Sequence, residues 1–462
     1  MRITFAFPKL EYEPNTPYID FVNKNLGCYP PLSLTWPAAT LREAGHHVNI
    51  IDGCALDLNI EDFIQKVNRT NPNIVGFNLS TFAFHEFLKI IRKLRSQLDV
   101  PVFVGGSHVR YYPMETIQKE EVDYALYGEA DYSIVNFINA LESGSDLRKV
   151  DGLLFKENGK VVRTNPQDES FDLSGLPTPA YDLLPIEKYY DFLTKRKNYA
   201  PMITMRGCPY ECNFCGMGNT LTRFASPNKV IEDMHSLVKL KVREVRFDDT
   251  TFTLYKKRTL ELCNLMQKED FDIEFTINTR IDCLNKEIID ALAKAKCIRI
   301  NMGIEAANTK ILKNLKKGID LGIAKNVIQY IQKSGMSVLG FFIMGSPGET
   351  MQTMKQNLDF AKSLPFDYVQ FSRMFAHPHT ELNDMMIKQY GRDLWKEYVD
   401  TGRNFDMPLI GTDLTIKQTD KFIKKSYKKF FLRPSQVLRI LRKIQSFTEL
   451  NRYVKTGFES ML

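Results

Sequence analysis

The amino-acid sequence predicts an α/β protein with two successive regions of strand–helix alternation and a helical C-terminal region. From residue 1 to about 145, short apolar segments alternate with amphipathic segments of helical period, which is typical of a doubly wound parallel sheet covered on both faces. From about residue 200 the alternation resumes, with six such units in about 175 residues. That spacing favours a partial parallel (β/α)6 barrel over a second open sheet.

Five short strands are predicted in the first region, with helices such as Leu32–Ala44 and Glu86–Ser96 between them. The strands are Ile3–Phe7, Val48–Asp52, Ile74–Leu79, Val102–Gly105 and Tyr124–Tyr127. Ligands of such sheets bind beyond the C-terminal ends of the strands. The candidate ligand contacts at these ends are Ser80, Thr81, Gly105, Gly106, His108, Gly128 and Glu129. Glycines there can also serve only to make tight turns.

Residues 146–199 lack the strand–helix alternation and are predicted to connect the two regions. Asn158-Gly159 lies between two short apolar segments, Gly152–Phe155 and Val161–Arg163, and is a hairpin signal. A Pro-rich stretch at 176–179 follows. We therefore expect the domains to lie at 1–145 and 200–375, followed by a C-terminal region at 376–462.

The barrel region is predicted to contain six strands, and the C-terminal region to be helical and basic. The strands are Met202–Met205, Glu244–Phe247, Glu274–Ile277, Ile298–Met302, Val338–Ile343 and Tyr368–Phe371. Near the end of the chain, apolar residues recur at helical spacing among cations, and Pro434 should start or break a helix.

The net charge of +7 over 462 residues is confined to the end of the chain. Residues 415–462 hold twelve Lys or Arg and three Asp or Glu, so the first 414 residues carry a net charge of −2. Any argument about nucleic acid or a membrane surface therefore concerns the tail alone.

No segment of the sequence resembles a membrane span or an export signal. The longest strongly apolar run, Val338–Gly345, is far shorter than the roughly 18 residues that a spanning helix needs. The apolar stretch that follows Met1 is shorter than that of a signal peptide, and no cleavage site of small residues follows it. We expect a cytoplasmic protein.

Three of the eight cysteines, Cys208, Cys212 and Cys215, form a Cys-x3-Cys-x2-Cys loop just after the first predicted barrel strand. Three thiolates can hold three irons of a [4Fe–4S] cluster and leave the fourth iron open to a substrate or cofactor. Zinc is the alternative, but it needs a fourth ligand, for which His235 and Cys263 are the nearest candidates. The other five cysteines are expected to be buried small apolar residues.

This loop, with Phe214 before its last cysteine, resembles that of the radical S-adenosylmethionine (SAM) superfamily. Further similarities follow at successive predicted strands: Phe247-Asp248-Asp249, Asn278-Thr279-Arg280, Met302-Gly303-Ile304-Glu305 and Gly340–Glu349. The resemblance implies a partial barrel in which the open iron binds SAM and an electron cleaves its sulfonium to give a 5′-deoxyadenosyl radical.

The same resemblance assigns SAM contacts by the chemistry of each group. Arg280 is the candidate partner of the SAM carboxylate and Glu305 of the ribose hydroxyls. Asp248 or Asp249 is the candidate for the amino group. Adenine is expected near Phe214 and the strand that ends at Gly345.

The N-terminal region resembles the Rossmann-like cobalamin-binding domain of vitamin B12-dependent radical SAM enzymes. The similar segments are Pro30–Leu34, Leu41–Val48, Val75–Thr81, Val104–His108 and Asp123–Glu129. The chain lacks the Asp-x-His-x-x-Gly motif that supplies a histidine to cobalt in some B12 proteins. Cobalamin is therefore expected base-off without a histidine ligand, and His108 is more readily explained as a structural histidine.

The resemblance implies an enzyme that transfers methyl from methylcobalamin to an unactivated carbon of a small molecule. One SAM would methylate cob(I)alamin, and a second would give the radical that removes a substrate hydrogen. A B12-dependent cyclase or rearrangement enzyme, similar to Mg-protoporphyrin ester cyclases or hopanoid-associated enzymes, is the enzymatic alternative. A low-potential flavodoxin or ferredoxin is the expected electron donor.

A non-enzymatic alternative is a cobalamin or Fe–S sensor whose basic tail contacts nucleic acid. Aromatic residues among the tail cations superficially suit base stacking. Apolar residues at helical spacing more often dock a helix on its own protein, so nucleic acid is not the expected partner. A basic helical cap over the barrel would favour an anionic or lipid-like substrate.

Overall fold

Residues 1–10 and 27–444 of the chain are described in a computed structural model. The predicted helical C-terminal region is therefore described to residue 444, and its last part, 445–462, lies outside the described residues. Within the described ranges, no helix is both long enough and apolar enough to span a bilayer.

The N-terminal region forms a seven-stranded sheet in the order β3-β1-β4-β5-β6-β7-β8. Its strands are β1 Arg2–Phe7, β3 His47–Asp52, β4 Ile74–Asn78, β5 Val102–Gly105, β6 Tyr124–Leu126, β7 Leu153–Glu157 and β8 Lys160–Arg163. The first five in this order are parallel, as predicted. From β1 the chain adds β3 on one side and then returns to add β4 on the other side. The strand order therefore reverses between β1 and β4, and ligands of such folds bind at that point.

Helices cover both faces of this sheet. They are α1 Leu32–Glu43, α2 Ile60–Arg69, α3 Phe84–Arg95, α4 Ser107–Tyr111, α5 Pro113–Ile117 and α6 Ala130–Ser143. In α2, Asn59 caps the first turn and the apolar face, which includes Phe63 and Val67, is buried. Gly76 in β4 lies under the ring of Phe103, where a Cβ atom would be 2.2 Å from the ring, so only glycine fits.

The hairpin predicted in the connector extends this sheet. Strand β7 pairs antiparallel with β6, and β8 pairs antiparallel with β7. A separate two-stranded pair joins β2, Gly27–Cys28, to β9, Tyr190–Asp191. The connector is thus packed against the N-terminal sheet at one end.

The second sheet has six parallel strands in chain order, as expected for a partial barrel. They are β10 Tyr199–Met202, β13 Glu244–Phe247, β14 Glu274–Thr279, β15 Cys297–Glu305, β16 Ser337–Met344 and β17 Tyr368–Arg373. The intervening helices are α7 Pro227–Lys239, α8 Lys256–Glu269, α9 Lys286–Lys294, α10 Thr309–Asn314, α11 Ala324–Lys333 and α12 Met351–Ser363.

The predicted position of the first barrel strand, Met202–Met205, is wrong. The parallel strand is β10, which ends at Met202, and β11, Met205–Arg206, pairs instead with β12, Arg223–Phe224. The physical reason is that the backbone N–H groups of Thr204 and Met205 donate to the buried Asp249 carboxylate and not to a neighbouring strand.

The described C-terminal helices are α13 Glu381–Tyr390, α14 Leu394–Thr401, α15 Ile416–Phe431 and α16 Pro434–Leu441. Asp420, early in α15, pairs with Arg373 at the end of β17, and Tyr427 bonds Phe371 within that strand. In α16, Gln436 donates to the carbonyl of Asp367, just before β17 begins.

Helix α15 thus runs antiparallel to the last barrel strand, from its C-terminal to its N-terminal end. A basic helical cap over the barrel stays a hypothesis, since α15 begins at the C-terminal end of β17 and α16 lies at its opposite end. Helix α16 contacts the protein through Gln436 and Arg439, while its apolar residues Val437, Leu438 and Leu441 are between 41% and 52% exposed.

Candidate active site

The cysteine loop is held closed at its base by the β11–β12 ribbon. Gly207 has φ +83° and approaches so closely that a Cβ atom would lie 2.0 Å from the Leu221 carbonyl oxygen, so this position requires glycine. The N–H of Cys208 donates to Thr220 Oγ1, and the N–H of Thr220 donates to the Cys208 carbonyl, both at 3.0 Å. The loop is therefore a pre-formed unit.

The three cysteines fit an iron–sulfur cluster better than a zinc ion. Within residues 1–10 and 27–444, no three His, Cys, Asp or Glu side chains group as a single metal ion requires. Thiolates that bind three separate irons of a cluster need no such convergence. His235, the proposed fourth zinc ligand, pairs with Glu269 at 3.2 Å, and Cys263 is buried within α8.

Two of the other cysteines match the expectation of burial, and three do not. Cys263 and Cys297 are buried, Cys28 and Cys283 are half-buried, and Cys54 is exposed. Cys283 lies beside the cysteine loop, with its Sγ atom 3.1 Å from the hydroxyl of Tyr210.

Asp249 anchors the chain that leads into the loop. Its carboxylate is fully buried and accepts hydrogen bonds from Thr204 N (2.6 Å), Thr204 Oγ1 (2.6 Å) and Met205 N (2.9 Å). Burial raises the pKa of Asp249 to about 6, against the opposing charge of Arg258. Both carboxylate oxygens of Asp249 therefore already accept hydrogen bonds from Thr204 and Met205.

Asp248, the other candidate for the SAM amino group, lies in an ion pair. Its carboxylate pairs with the Arg246 guanidinium at 2.5 and 2.9 Å. Arg246 also pairs with Asp191 at 2.7 Å, so Asp248 forms part of a charged group that joins β13 to β9.

Arg280, the candidate partner of the SAM carboxylate, lies directly beside the cysteine loop. Its guanidinium is 3.6 Å from the centre of the Tyr210 ring, and Nη1 is 4.0 Å from Cys212 Sγ. It also donates to Asp282 and to the Lys317 carbonyl. A buried, oriented guanidinium at this place can pair with a carboxylate.

Glu305 lies at the end of β15 and is paired with Lys317, a residue that no sequence motif marks. Lys317 Nζ is 2.8 Å from Glu305 Oε1, and both side chains are 9% exposed. Glu305 has φ +60°, an unfavourable conformation for a residue with a Cβ atom. The strained backbone turns the carboxylate towards Lys317 and the rim of the barrel.

The glycine-rich end of β16 is held by Glu349. Glu349 Oε2 accepts from the N–H groups of Gly345 (2.5 Å) and Ser346 (3.0 Å), and Oε1 accepts from Asn357. Burial raises the pKa of Glu349 to about 7. Glu349 was visible in the sequence pattern, but its contact with the turn was not.

Phe214 is half-buried and packs against the core.

The strand ends of the N-terminal sheet form a second cluster of predicted contacts. His108 is fully buried, its Nδ1 atom is 3.1 Å from Thr81 Oγ1, and its ring stacks on Phe84 at 3.9 Å. Burial lowers the pKa of His108 to about 3. Its Nε2 atom is buried without a hydrogen-bond partner among the described residues. His108 is therefore held in the neutral form, buried beside Thr81 and Phe84.

Glycines at these strand ends bring backbone close to the crevice. Gly106 has φ +98°, and a Cβ atom there would lie 2.1 Å from Asn78 Oδ1. Asn78 in turn donates to Ser33, at the start of α1. Gly105 ends β5, and Gly128 follows β6 with φ +90°. Ser80 lies between β4 and Thr81 and is half-buried. Small residues therefore occupy three of the positions at these strand ends.

Glu129, predicted as a cofactor contact, pairs with arginines of the other domain. Its carboxylate accepts from Arg206 at 2.6 Å and from Arg223. Both arginines belong to the ribbon that closes the cysteine loop. No local pattern reveals this pairing, since the partners are 77 and 94 residues away.

The cysteine loop and the strand ends of the N-terminal sheet face each other. The hydroxyl of Tyr111, at the end of α4, would be 2.9 Å from a Cβ atom on Gly216, the residue after Cys215. The Tyr111 ring stacks on His379 at 5.1 Å. Residues of the N-terminal sheet, the cysteine loop and the C-terminal region therefore meet at one place.

Comparisons with known proteins agree with this architecture. Residues 202–361 match the model of the radical SAM superfamily, and residues 19–138 match that of the B12 binding domain. A Pyrococcus horikoshii protein described as an uncharacterized methyltransferase is 31% identical over 423 residues, which is 89% of each chain. The anaerobic magnesium-protoporphyrin IX monomethyl ester cyclase of Rubrivivax gelatinosus is 26% identical over 455 residues, 94% of this chain and 80% of that protein.

A solved structure has the same fold. The radical SAM methyltransferase TsrM of Kitasatospora setae, with cobalamin and a [4Fe–4S] cluster bound, superposes with a TM-score of 0.67 at 18% identity, covering 84% of this chain and 75% of that one. Since similarity extends over both sheets and the cysteine loop, the chain belongs to the radical SAM enzymes with a B12-binding domain, whose cofactors are a [4Fe–4S] cluster, SAM and cobalamin.

Proposed function

We propose that the protein is a C-methyltransferase that transfers a methyl group to an unactivated carbon of a small molecule. The observation that carries this proposal is the contact of the cysteine loop with the strand ends of the B12-binding domain at Tyr111 and Gly216. When bound, the cluster and SAM supply a 5′-deoxyadenosyl radical, and cobalamin supplies a transferable methyl group. A substrate between the two domains would be within reach of both.

The barrel residues have separate parts in this proposal. Cys208, Cys212 and Cys215 would hold the cluster. Arg280 would pair with the SAM carboxylate and Glu305 would accept from the ribose, while Phe214 and the Gly345 turn would lie against adenine. Asp249 holds the base of the loop, and Asp248 stays a candidate for the amino group.

The N-terminal residues would hold cobalamin through small and polar groups. Ser80 and Thr81 offer hydroxyls, and the glycines Gly105, Gly106 and Gly128 allow the backbone to approach the ring. His108 would form a wall. We assign residues 1–145 to this domain, 146–199 to the connector, 200–375 to the barrel and 376–462 to the C-terminal region.

A cyclase or rearrangement enzyme is the second candidate, favoured by the 26% identity to the Rubrivivax gelatinosus cyclase over 94% of this chain. Such an enzyme would use the same residues but would leave the SAM methyl group out of the product. A low-potential flavodoxin or ferredoxin would supply the electrons for either reaction.

The test is to reconstitute the protein with iron, sulfide and cobalamin and to supply SAM labelled in its methyl group. Label in a carbon-methylated product, together with 5′-deoxyadenosine, supports the methyltransferase. Label absent from a product that still forms would favour the cyclase. If the protein neither cleaves SAM nor retains cobalamin, both candidate functions are contradicted. Iron should be lost in C212S and kept in C283S, the matched control beside the loop.

A further inference from the structure

Four charged side chains join the two domains at the base of the cysteine loop. Arg206 donates to Asp131 through Nη1 (2.6 Å) and Nη2 (3.0 Å), and through Nη1 to Glu129 (2.6 Å). Arg223 donates to the other oxygen of Glu129. We call these four residues the interdomain clamp.

The clamp is largely removed from solvent. The exposed fractions of the side chains are 17% for Arg206, 9% for Arg223, 18% for Glu129 and 5% for Asp131. Arg206 also lies 5.1 Å from the centre of the Trp36 ring in α1, and Arg223 lies 4.9 Å from that of Phe171. Buried, bidentate arginine–carboxylate pairs hold one geometry, unlike exposed pairs, which fluctuate.

The clamp joins the two ends of the cysteine loop to one strand end of the B12-binding domain. Arg206 is two residues before Cys208, and it is paired with Arg223 across the β11–β12 ribbon, so the two arginines mark both ends of the cysteine loop. Glu129 directly follows Gly128 at the end of β6, and Asp131 lies in the first turn of α6. Both ends of the loop are therefore tied to one strand end of the B12-binding domain.

We propose that the clamp residues are positioning residues that fix the cysteine loop against the strand ends of the B12-binding domain. This inference rests on the proposed function, because a methyl transfer needs groups from both domains in reach of one substrate. SAM cleavage needs only the barrel. Since a misplacement of about 1 Å can cost about 100-fold in rate, weakening the clamp should impair methyl transfer much more than SAM cleavage.

The variants are Asp131→Asn, Glu129→Gln and Arg206→Lys, with Asp182→Asn as the matched control. Asp182 forms a bidentate pair with Arg42 at 2.6 and 3.0 Å, but that pair is exposed and joins α1 to the connector. Glu129→Gln keeps the Arg206–Asp131 pair and so remains informative if Asp131→Asn does not fold. Arg206→Lys keeps the charge and loses the bidentate geometry.

The first readout is hydrogen exchange of residues 205–224 in the full-length protein, before and after reconstitution. Exchange should be at least about tenfold faster in Glu129→Gln and Asp131→Asn, intermediate in Arg206→Lys, and unchanged in Asp182→Asn. Unchanged exchange in all clamp variants would overturn the proposal, whatever reaction the enzyme catalyses.

The second readout is the ratio of 5′-deoxyadenosine to methylated product. It should rise at least about tenfold in Asp131→Asn and Arg206→Lys, with the total rate of SAM cleavage preserved, and stay at the wild-type value in Asp182→Asn. An equal fall of both products would overturn a positioning role in coupling. If wild-type protein makes no methylated product, the proposed function fails by itself, and hydrogen exchange still decides whether the clamp exists.

Discussion

Single buried carboxylates at the barrel rim determine how its loops are held. Glu349 is 2% exposed, and its pKa is raised from an ordinary value of 4.5 to about 7 by burial, although two backbone N–H groups and Asn357 stabilise its charge. Between these two values the native state binds more protons than the unfolded chain. Its contribution to stability is therefore full below about pH 4.5 and is lost as the pH rises through about 7.

Replacing Glu349 by Gln should remove this pH dependence. The melting temperature of wild-type protein should fall by a few degrees between about pH 5 and 7 relative to Glu349→Gln. The measurement is a series of thermal unfolding curves across this range. Glu381→Gln, which changes an exposed glutamate paired with Lys316, is the control. Equal slopes in wild type and Glu349→Gln would contradict the assignment.

Gly106 should be intolerant of any side chain. Gly106→Ala places a Cβ atom against Asn78 at φ +98°, so we expect a loss of about 2–4 kcal/mol of stability and weaker retention of cobalamin. Gly144→Ala is the matched control, because Gly144 also has a positive φ but open space around it. It should cost about 1 kcal/mol. Urea unfolding and cobalamin absorbance measure the two effects, and equal costs at both glycines would refute the steric argument.

The candidate site residues differ in how far the sequence could reveal them. The cysteine loop was recognisable because its three ligands lie within eight residues. Lys317 and Asp131 were not identified, because an ion pair has no local pattern. Asp131 is 75 residues from Arg206, and nothing but packing brings them together.

At the level of elements, the junction between β10 and the cysteine loop depends on Asp249. The carboxylate draws the Thr204 and Met205 N–H groups away from the sheet, which is why the predicted strand was displaced by three residues at each end. Apolar spacing could locate a strand here, but it could not reveal that a carboxylate 45 residues later ends it.

Asp249→Asn should loosen this junction. One carboxylate oxygen becomes an amide donor that faces other donors, so we expect a loss of about 2–3 kcal/mol and a lower iron content after reconstitution. Thermal unfolding and iron analysis report these effects. Asp272→Asn, an exposed carboxylate paired with Arg196, should change neither. Full iron loading and wild-type stability in Asp249→Asn would exclude the anchoring role.

In the whole molecule as far as it is described, the exposed cations of α15 form a row along one face of the helix. Four exposed lysines repeat every four residues along α15 and have no acidic partner among the residues described: Lys417, Lys421, Lys425 and Lys429. The opposite face of α15 packs on β17. The row therefore faces away from the barrel.

Replacing all four lysines by glutamine should leave substrate turnover within about twofold of wild type at every salt concentration, because the row lies on the face of α15 opposite β17 and salt screens exposed charges. Turnover measured in a salt titration tests this expectation. A large loss that high salt reproduces in wild type would instead favour an anionic substrate or partner held by α15.

The sequence alone determined the cofactors of this protein, because a short cysteine loop and the order of strand-end motifs are local patterns. It also determined both parallel sheets, because alternating apolar segments specify buried strands and covering helices. Tertiary structure alone decided which carboxylates are already paired, as for Asp249 and Glu129, and where the basic helix lies. Those outcomes depend on contacts between residues far apart in the sequence, whose geometry arises only when the chain packs.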